Sequence, residues 1–367
     1  MFDIITFGSA TRDIFVRSKD FKIIKSSDFA TGKALAVNAG SKVYVEELIF
    51  ASGGGGTNTA VTFAAQGLKT AYAGLVGHDL SGKEIIKELA ELGVECDLVK
   101  ITNKAATPVS IILSAPGDNE RSAFAPPSRN ASDEQGKATA DAPFSISAKG
   151  GEKMGERSIL VYEGASHLLT EKDVLWDKIK ASKWFYVSGL SGKSSKVFFK
   201  IIDFAKENGI KIAANPGHDQ LTKDLGLLKS LLNEIDILIV NQEEAGIITG
   251  IDYQKEEEIF KKFDEIVDGI AVMSKGPEGV TVSDGKNIYR AGIPESGYVD
   301  RTGSGDAFGS GFVSAIIRGE SIENAIQLGT ANATSVVQKI GAKNGILKKG
   351  EWGGWERVVV EKSPIKS

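Results

Sequence analysis

Apolar positions along the 367-residue chain switch repeatedly between short continuous runs and a near-fourfold period, and this rhythm predicts most of the elements. Ile4 to Phe7, stopped by Gly8-Ser9-Ala10, reads as a buried strand, because a short apolar run bounded by turn residues suits a sheet covered on both faces. Between Ile14 and Phe50 the runs Ile14-Phe15-Val16, Ala34-Leu35-Ala36-Val37 and Val43-Tyr44-Val45 are broken by Gly, Asn, Lys and Ser. They predict hairpins outside the rhythm that follows. Ser52-Gly53-Gly54-Gly55-Gly56-Thr57-Asn58 is expected to open a helix that closes near Gln66, with Gly67 as its cap. A strand and glycine turn over Thr70 to Gly82, a helix over Lys83 to Leu92 and a strand over Val109 to Ser114 come next.

From Trp184 onward strands and helices alternate: Trp184–Val187, Lys196–Glu207, Lys211–Ala214, Leu221–Asn233 and Ile235–Val240. That order predicts an α/β fold with a mostly parallel sheet and helices on both faces, which binds ligands at the carboxyl ends of its strands. A strand–turn–strand unit around Val272 to Val280, an apolar helix from Phe312, a second long helix over Ala325 to Ile340 and an edge strand over Arg357 to Val360 complete the pattern. Residues 126 to 155, rich in Ala, Ser, Gly, Asp and Lys and without a period, are expected to be a disordered insertion. Two similar phrases flank it, Asn119-Glu120-Arg121-Ser122 and Gly155-Glu156-Arg157-Ser158, and the second is expected to resume the sheet.

Composition narrows the classes. With 41% hydrophobic and 25% charged residues and a net charge of −4, the chain has the balance of a soluble enzyme and no general attraction for polyanions. Neither a nucleic acid nor a membrane surface is an expected partner. Cys96, the single cysteine, can form no internal disulfide and no zinc cluster. The N-terminus lacks a basic start and a long apolar run, so it is read as a strand and the protein as cytoplasmic.

The chemistry concentrates in Asp300-Arg301-Thr302-Gly303-Ser304-Gly305-Asp306-Ala307-Phe308-Gly309-Ser310-Gly311-Phe312, just ahead of an apolar helical run. Glycines let the backbone approach a bulky anion, and the first N–H groups of a helix point at it. Asp306 would repel a phosphate there, which leaves two readings: an ordinary cap, or a base that removes a hydroxyl proton. Asp13 follows the first strand, either as a turn cap or as a ligand contact. Asn241 and Glu244 lie three apart at a helix start, which suits either a routine cap or magnesium with its waters. Asp79 beside His78 is read as the cap of the next helix. Val187 to Ser194 ends in Gly-Lys-Ser like a phosphate loop, but Val187 stands where that loop needs its first glycine.

The segment Asp300 to Phe308 resembles the second signature of the PfkB/ribokinase family of sugar and nucleoside kinases, Asp-x-Thr-Gly-Ala-Gly-Asp-x-Phe, with Ser304 in place of Ala. Gly53, Gly54 and Asn58 match the first signature, Gly-Gly-x-x-x-Asn, although Gly55 stands where ribokinases carry Lys. The resemblance spans nearly the whole chain outside the insertion and the tail. It implies one three-layer α/β/α domain over residues 1 to 367 with a small β lid, most of it from residues 14 to 50, and a homodimer through that lid. It implies an ATP-dependent phosphotransferase acting on a sugar or nucleoside hydroxyl. Asp306 would be the base, and Gly303, Ser304 and Gly305 the anion hole. Asp13, Gly53, Gly54, Asn58 and Asp306 would meet the acceptor. Ser274, Gly276, Gly279, Asn241 and Asn332 would line ATP, and Asn241 and Glu244 would address Mg2+. Asp300 and Thr302 would hold a monovalent cation such as K+.

A silent sugar-binding sensor on the same fold is the rival reading; an intact base beside an anion hole argues against it. A nicotinamide dehydrogenase does not fit, since Phe7-Gly8-Ser9-Ala10-Thr11-Arg12 lacks Gly-x-Gly-x-x-Gly after the first strand.

Overall fold

The computed structural model describes residues 1–29, 31–115 and 157–365, so the insertion expected at 126 to 155 and the Asn119 phrase lie outside the described residues. A nine-stranded sheet forms the centre, in the order Val360–Pro364, Asn287–Ala291, Val280–Ser283, Ile270–Ser274, Ile237–Asn241, Lys211–Asn215, Trp184–Ser188, Ile4–Phe7 and Thr70–Ala73. From Ile270–Ser274 to Thr70–Ala73 every neighbouring pair is parallel, and the three strands beyond are antiparallel. Parallel pairing needs crossovers, and the helices between the strands supply them.

Alternation along one strand shows how the layers form. Phe185 and Val187 point into a core with Phe198, Ile202 and Phe263, while Trp184 and Tyr186 point into the opposite core with Phe63, Phe312 and Leu328. The sheet is therefore covered on both faces, which is why its strands read as unbroken apolar runs. The helix expected over Leu221 to Asn233 is divided into His218–Thr222 and Leu225–Leu231. Asp224 interrupts it, leaving helical geometry and accepting a 2.6 Å hydrogen bond from Ser195 Oγ. The tail strand begins later than expected, at Val360.

A second sheet of four strands, Arg157–Tyr162, Val109–Ser114, Thr11–Arg17 and Glu47–Gly53 in that order, stands apart from the first. Residues 14 to 50 supply only part of it. Two of its strands come from beyond residue 100, and Arg157–Tyr162 joins this sheet by antiparallel pairing with Val109–Ser114. Ala34 to Ala36 pairs with Lys22–Lys25 in a separate hairpin, and Val43 to Val45 is not a strand. Among the described residues no helix is long and apolar enough to cross a membrane.

Candidate active site

Three segments meet beyond the carboxyl ends of the parallel strands: the helix Gly55–Ala65, the helix Ser304–Ile317, and the turn that carries the first strand into the four-stranded sheet. Gly303 caps the Ser304–Ile317 helix in the left-handed conformation, φ 76°, and a Cβ there would lie 2.3 Å from the Ala342 side chain. Only glycine meets both conditions. Ser304, Gly305 and Asp306 follow as its first turn, where backbone N–H groups have no carbonyl four residues back to receive them, Ser304 N making only a long 3.3 Å bond to Arg301 O.

Asp306 faces the glycine-rich helix. Asn58 Nδ2 donates to Asp306 Oδ2 at 2.8 Å, and Asp306 Oδ1 lies 3.5 Å from the position a Gly55 side chain would take. Burial pushes the Asp306 carboxyl above the usual carboxylate range, and the Asn58 hydrogen bond and the Lys343 charge hold it down. Around it are buried polar atoms without a hydrogen-bond partner: Asn58 Oδ1, Ser188 Oγ and Tyr186 Oη. Ser188 abuts Gly55 on the side that faces Asp306, Tyr186 abuts Gly309 one turn further along, and the Asp306 charge raises the Tyr186 phenol further after burial has raised it. Burying a polar atom unpaired costs about 1–3 kcal/mol, so three in one place mark a surface shaped for a polar ligand.

Asp13 forms a second buried carboxylate, on the strand Thr11–Arg17. Its Oδ2 lies 2.1 Å from where a Gly53 side chain would begin, so Gly53 is needed for the carboxylate to rest against the backbone. Gly54 is the residue from which the Gly55–Ala65 helix starts. Burial raises Asp13 to about 6 against the pull of Ser110, Lys343 and Arg12, with Asp300 adding to the rise. Asp13, Gly53, Gly54, Asn58 and Asp306 are thus brought to one place.

Asp300 is buried and already neutralised. Arg157 Nη1 donates to Asp300 Oδ1 at 2.9 Å, Thr302 donates to it through N and Oγ1, and Gly341 N donates to Oδ2 at 3.1 Å. With the carboxylate paired and the Thr302 hydroxyl turned toward it, these two side chains do not fit a monovalent cation.

Asn241 and Glu244 stand at the end of the strand Ile237–Asn241. They form a reciprocal capping box, Asn241 N donating to Glu244 Oε2 at 2.8 Å and Glu244 N to Asn241 Oδ1 at 2.9 Å. The capping role and a magnesium role are compatible, since Mg2+ commonly takes one or two carboxylates and fills its remaining positions with waters and phosphates. Among the described residues no group of three or more His, Cys, Asp or Glu could hold a metal by itself. Ser274 pairs in register with Asn241, and the turn Gly276–Glu278 with Gly279 follows it. A cleft of about 440 Å³ opens beside this turn, lined by Lys275, Glu278, Arg290, Ile293, Val358 and Val359.

Asn332 is a correction. It is fully buried, its side chain donating to Ala307 O at 2.8 Å and accepting from Leu347 N at 2.9 Å, so it ties two helices and the following loop together and does not reach a nucleotide. The Gly-Lys-Ser turn is likewise closed, with Gly192 N donating to Asp219 Oδ2 at 2.8 Å and Ser191 held by His167. Asp79 caps its helix, accepting from Gly82 N at 2.8 Å. Tyr186, Ser188 and Lys343 are not among the site residues expected from the sequence. The two former follow from strand alternation once Trp184–Ser188 is placed, but nothing periodic marks a lysine in the loop after a helix.

A model described as pfkB family carbohydrate kinase matches residues 24–149 and 137–349. The chain belongs to the pfkB family of carbohydrate kinases. This kinase is 28% identical to a ribokinase of Haemophilus influenzae over 306 residues, 82% of this chain and 86% of the relative. It is 23% identical to a nucleoside kinase of Methanothermobacter thermautotrophicus, covering 82% of each chain. Among solved structures, Arabidopsis thaliana ribokinase complexed with ribose and ATP superposes with a TM-score of 0.68 at 20% identity, over 95% of this chain and 96% of that one. That likeness shows the fold: a large, mostly parallel sheet with helices on both faces and a small sheet beside it.

Proposed function

We propose that the kinase transfers the γ-phosphoryl group of ATP to a hydroxyl of a sugar or nucleoside, with Asp306 as the base. The observation that carries this is the set of buried, unpartnered atoms of Asn58, Ser188 and Tyr186 around a carboxylate in the first turn of a glycine-capped helix. A polyhydroxylated acceptor satisfies those atoms and brings one hydroxyl to Asp306. The carboxylate takes that proton as the oxygen bonds to the γ-phosphorus, and the bond to the β–γ bridging oxygen breaks to release ADP. The amides of Gly303, Ser304 and Gly305 receive the charge on the transferring group. One lost donor of this kind costs on the order of 3 kcal/mol, or about a hundredfold in rate. Asp13, Gly53 and Gly54 hold further acceptor hydroxyls from the lid side.

The nucleotide lies along Ser274, Gly276 and Gly279, with its base toward the adjoining cleft. Glu244 and Asn241 would hold a magnesium ion, which would supply charge neutralisation on the phosphates. The four-stranded sheet covers the acceptor and keeps out water, which would otherwise compete for the phosphoryl group.

Coupled ADP release measured across sugars and nucleosides, with and without Mg2+, tests the reading. Wild type should turn over at least one acceptor only with magnesium, and Asp306→Asn should bind ATP with turnover lowered by a thousandfold or more, on the order of a lost base and its charge. Acceptor binding without any ADP release would favour the sensor, and near-normal turnover of Asp306→Asn would remove the base assignment.

A further inference from the structure

Lys343 is a buried cation that acts on both acceptor-side carboxylates, and the proposed phosphoryl transfer gives it no task. Its side chain is 6% exposed. The ammonium donates to Ser52 Oγ on the strand Glu47–Gly53, and Ser52 donates in turn to Glu88 Oε1 at 2.7 Å on the helix Leu80–Glu91. Glu88 Oε1 lies 4.0 Å from the Lys343 nitrogen. Ser52 pairs across the strands with Arg12, next to Asp13, and Ala342, the neighbour of Lys343, lies against Gly303 at the start of the Ser304–Ile317 helix, so the ammonium is set among Asp13, Arg12 and Asp306. Arg12, itself paired with Glu84 one turn before Glu88, adds a smaller pull on Asp13, and Lys343 is the cation that acts on both Asp13 and Asp306.

We propose that Lys343 is a positioning residue whose charge keeps Asp13 and Asp306 ionised together, so that acceptor ligand and base are both available at neutral pH. A buried carboxylate left without a cation protonates; two in one site without one would hold a proton between them. The charge also has a limit. Burial lowers the lysine itself to about 8, so the support it gives fades in mildly alkaline solution. This inference rests on the acceptor-site roles given to Asp13 and Asp306 above.

The test is a pH titration of protein carrying 13Cγ-labelled aspartate, the two resonances assigned by their loss in Asp13→Asn and Asp306→Asn. In Lys343→Met both should titrate at higher pH than in wild type, by about one pH unit. Lys343→Arg keeps the charge and should leave both near their wild-type midpoints. It should also abolish the second response that wild type shows near pH 8 as Lys343 gives up its proton. Identical midpoints in wild type and Lys343→Met would overturn the proposal. So would a second response that persists unchanged in Lys343→Arg, a comparison that holds even if the methionine variant does not fold. Because the titration uses no turnover, it stands apart from the base assignment, which Asp306→Asn kinetics decide separately.

Discussion

Asn58 Nδ2 donates to Asp306 Oδ2 at 2.8 Å across 248 positions of sequence, joining the two glycine-rich helix starts at one carboxylate. The bond favours the ionised form of Asp306 against burial, while the other end of the same amide, Oδ1, is left without a partner. Under the proposed mechanism Asn58 would address the base with one end and the acceptor with the other. Asn58→Ala should lower kcat/KM by about one to two orders of magnitude and move its acid limb to higher pH, since Asp306 loses a hydrogen bond to its charged form. A fall in kcat/KM with an unmoved acid limb would leave Asn58 as an acceptor contact alone.

Gly303 and Gly305 sit two residues apart and should answer the same substitution differently. At Gly303, φ is 76° and a Cβ meets Ala342, so Gly303→Ala should lower thermal stability by on the order of 1–3 kcal/mol and displace the helix start. At Gly305 a Cβ meets nothing within 4 Å. Gly305→Ala should keep the wild-type melting temperature while losing turnover, because the methyl group stands where the transferring phosphoryl group must approach. Melting curves paired with ADP-release rates separate the two, and equal effects at both positions would count against the anion-hole assignment.

Asp13 makes a pH prediction whose sign can be worked out. Its folded pKa, about 6, lies above the 3.8 of a free aspartate, so between those values the folded state holds more protons than the unfolded one. Stability from this group is present below pH 4 or so and lost as pH rises through 6. The ionised carboxylate at pH 7 then costs on the order of 3 kcal/mol at most. Asp13→Asn should be more stable than wild type at pH 7 and nearly equal to it at pH 4, with weakened acceptor binding throughout. Denaturant unfolding at the two pH values checks this, and a stability difference independent of pH would show that burial of the charge is not its cause.

What the sequence disclosed, and what it hid, divides by distance along the chain. The strand Trp184–Ser188 and the helix starts at Gly54 and Gly303 are local matters of period and glycine, and they stood in plain view. The four-stranded sheet was only half legible, because Arg157–Tyr162 and Val109–Ser114 join Thr11–Arg17 by pairings that no local pattern encodes. The nucleotide role expected of Asn332 came from the family resemblance, and no local pattern shows that Ala307 and Leu347 take up its hydrogen bonds. Lys343 shows the reverse case, since its meaning comes from Ser52, Glu88, Asp13 and Asp306, contributed by four separate elements or loops.

The outer strands of the four-stranded sheet leave Phe50 60% exposed and Leu160 56% exposed, with Leu48, Val161 and Tyr162 also largely in solvent. Apolar groups gathered on a small sheet favour burial against a like surface, at roughly 25 cal/mol for each Å² covered. A second copy of this sheet is the occupant expected from the family resemblance, and pairing of two copies by a twofold axis would bring each patch onto its own counterpart. Sedimentation of the wild type at micromolar concentration should then give a two-chain species, and Phe50→Asp with Leu160→Asp should give a single chain with an unchanged circular dichroism spectrum. Because the same sheet carries Asp13 and Gly53, loss of pairing should also loosen the lid and raise the KM for the acceptor more than it lowers kcat. A wild type that sediments as one chain would show that these side chains stay in water in the free enzyme.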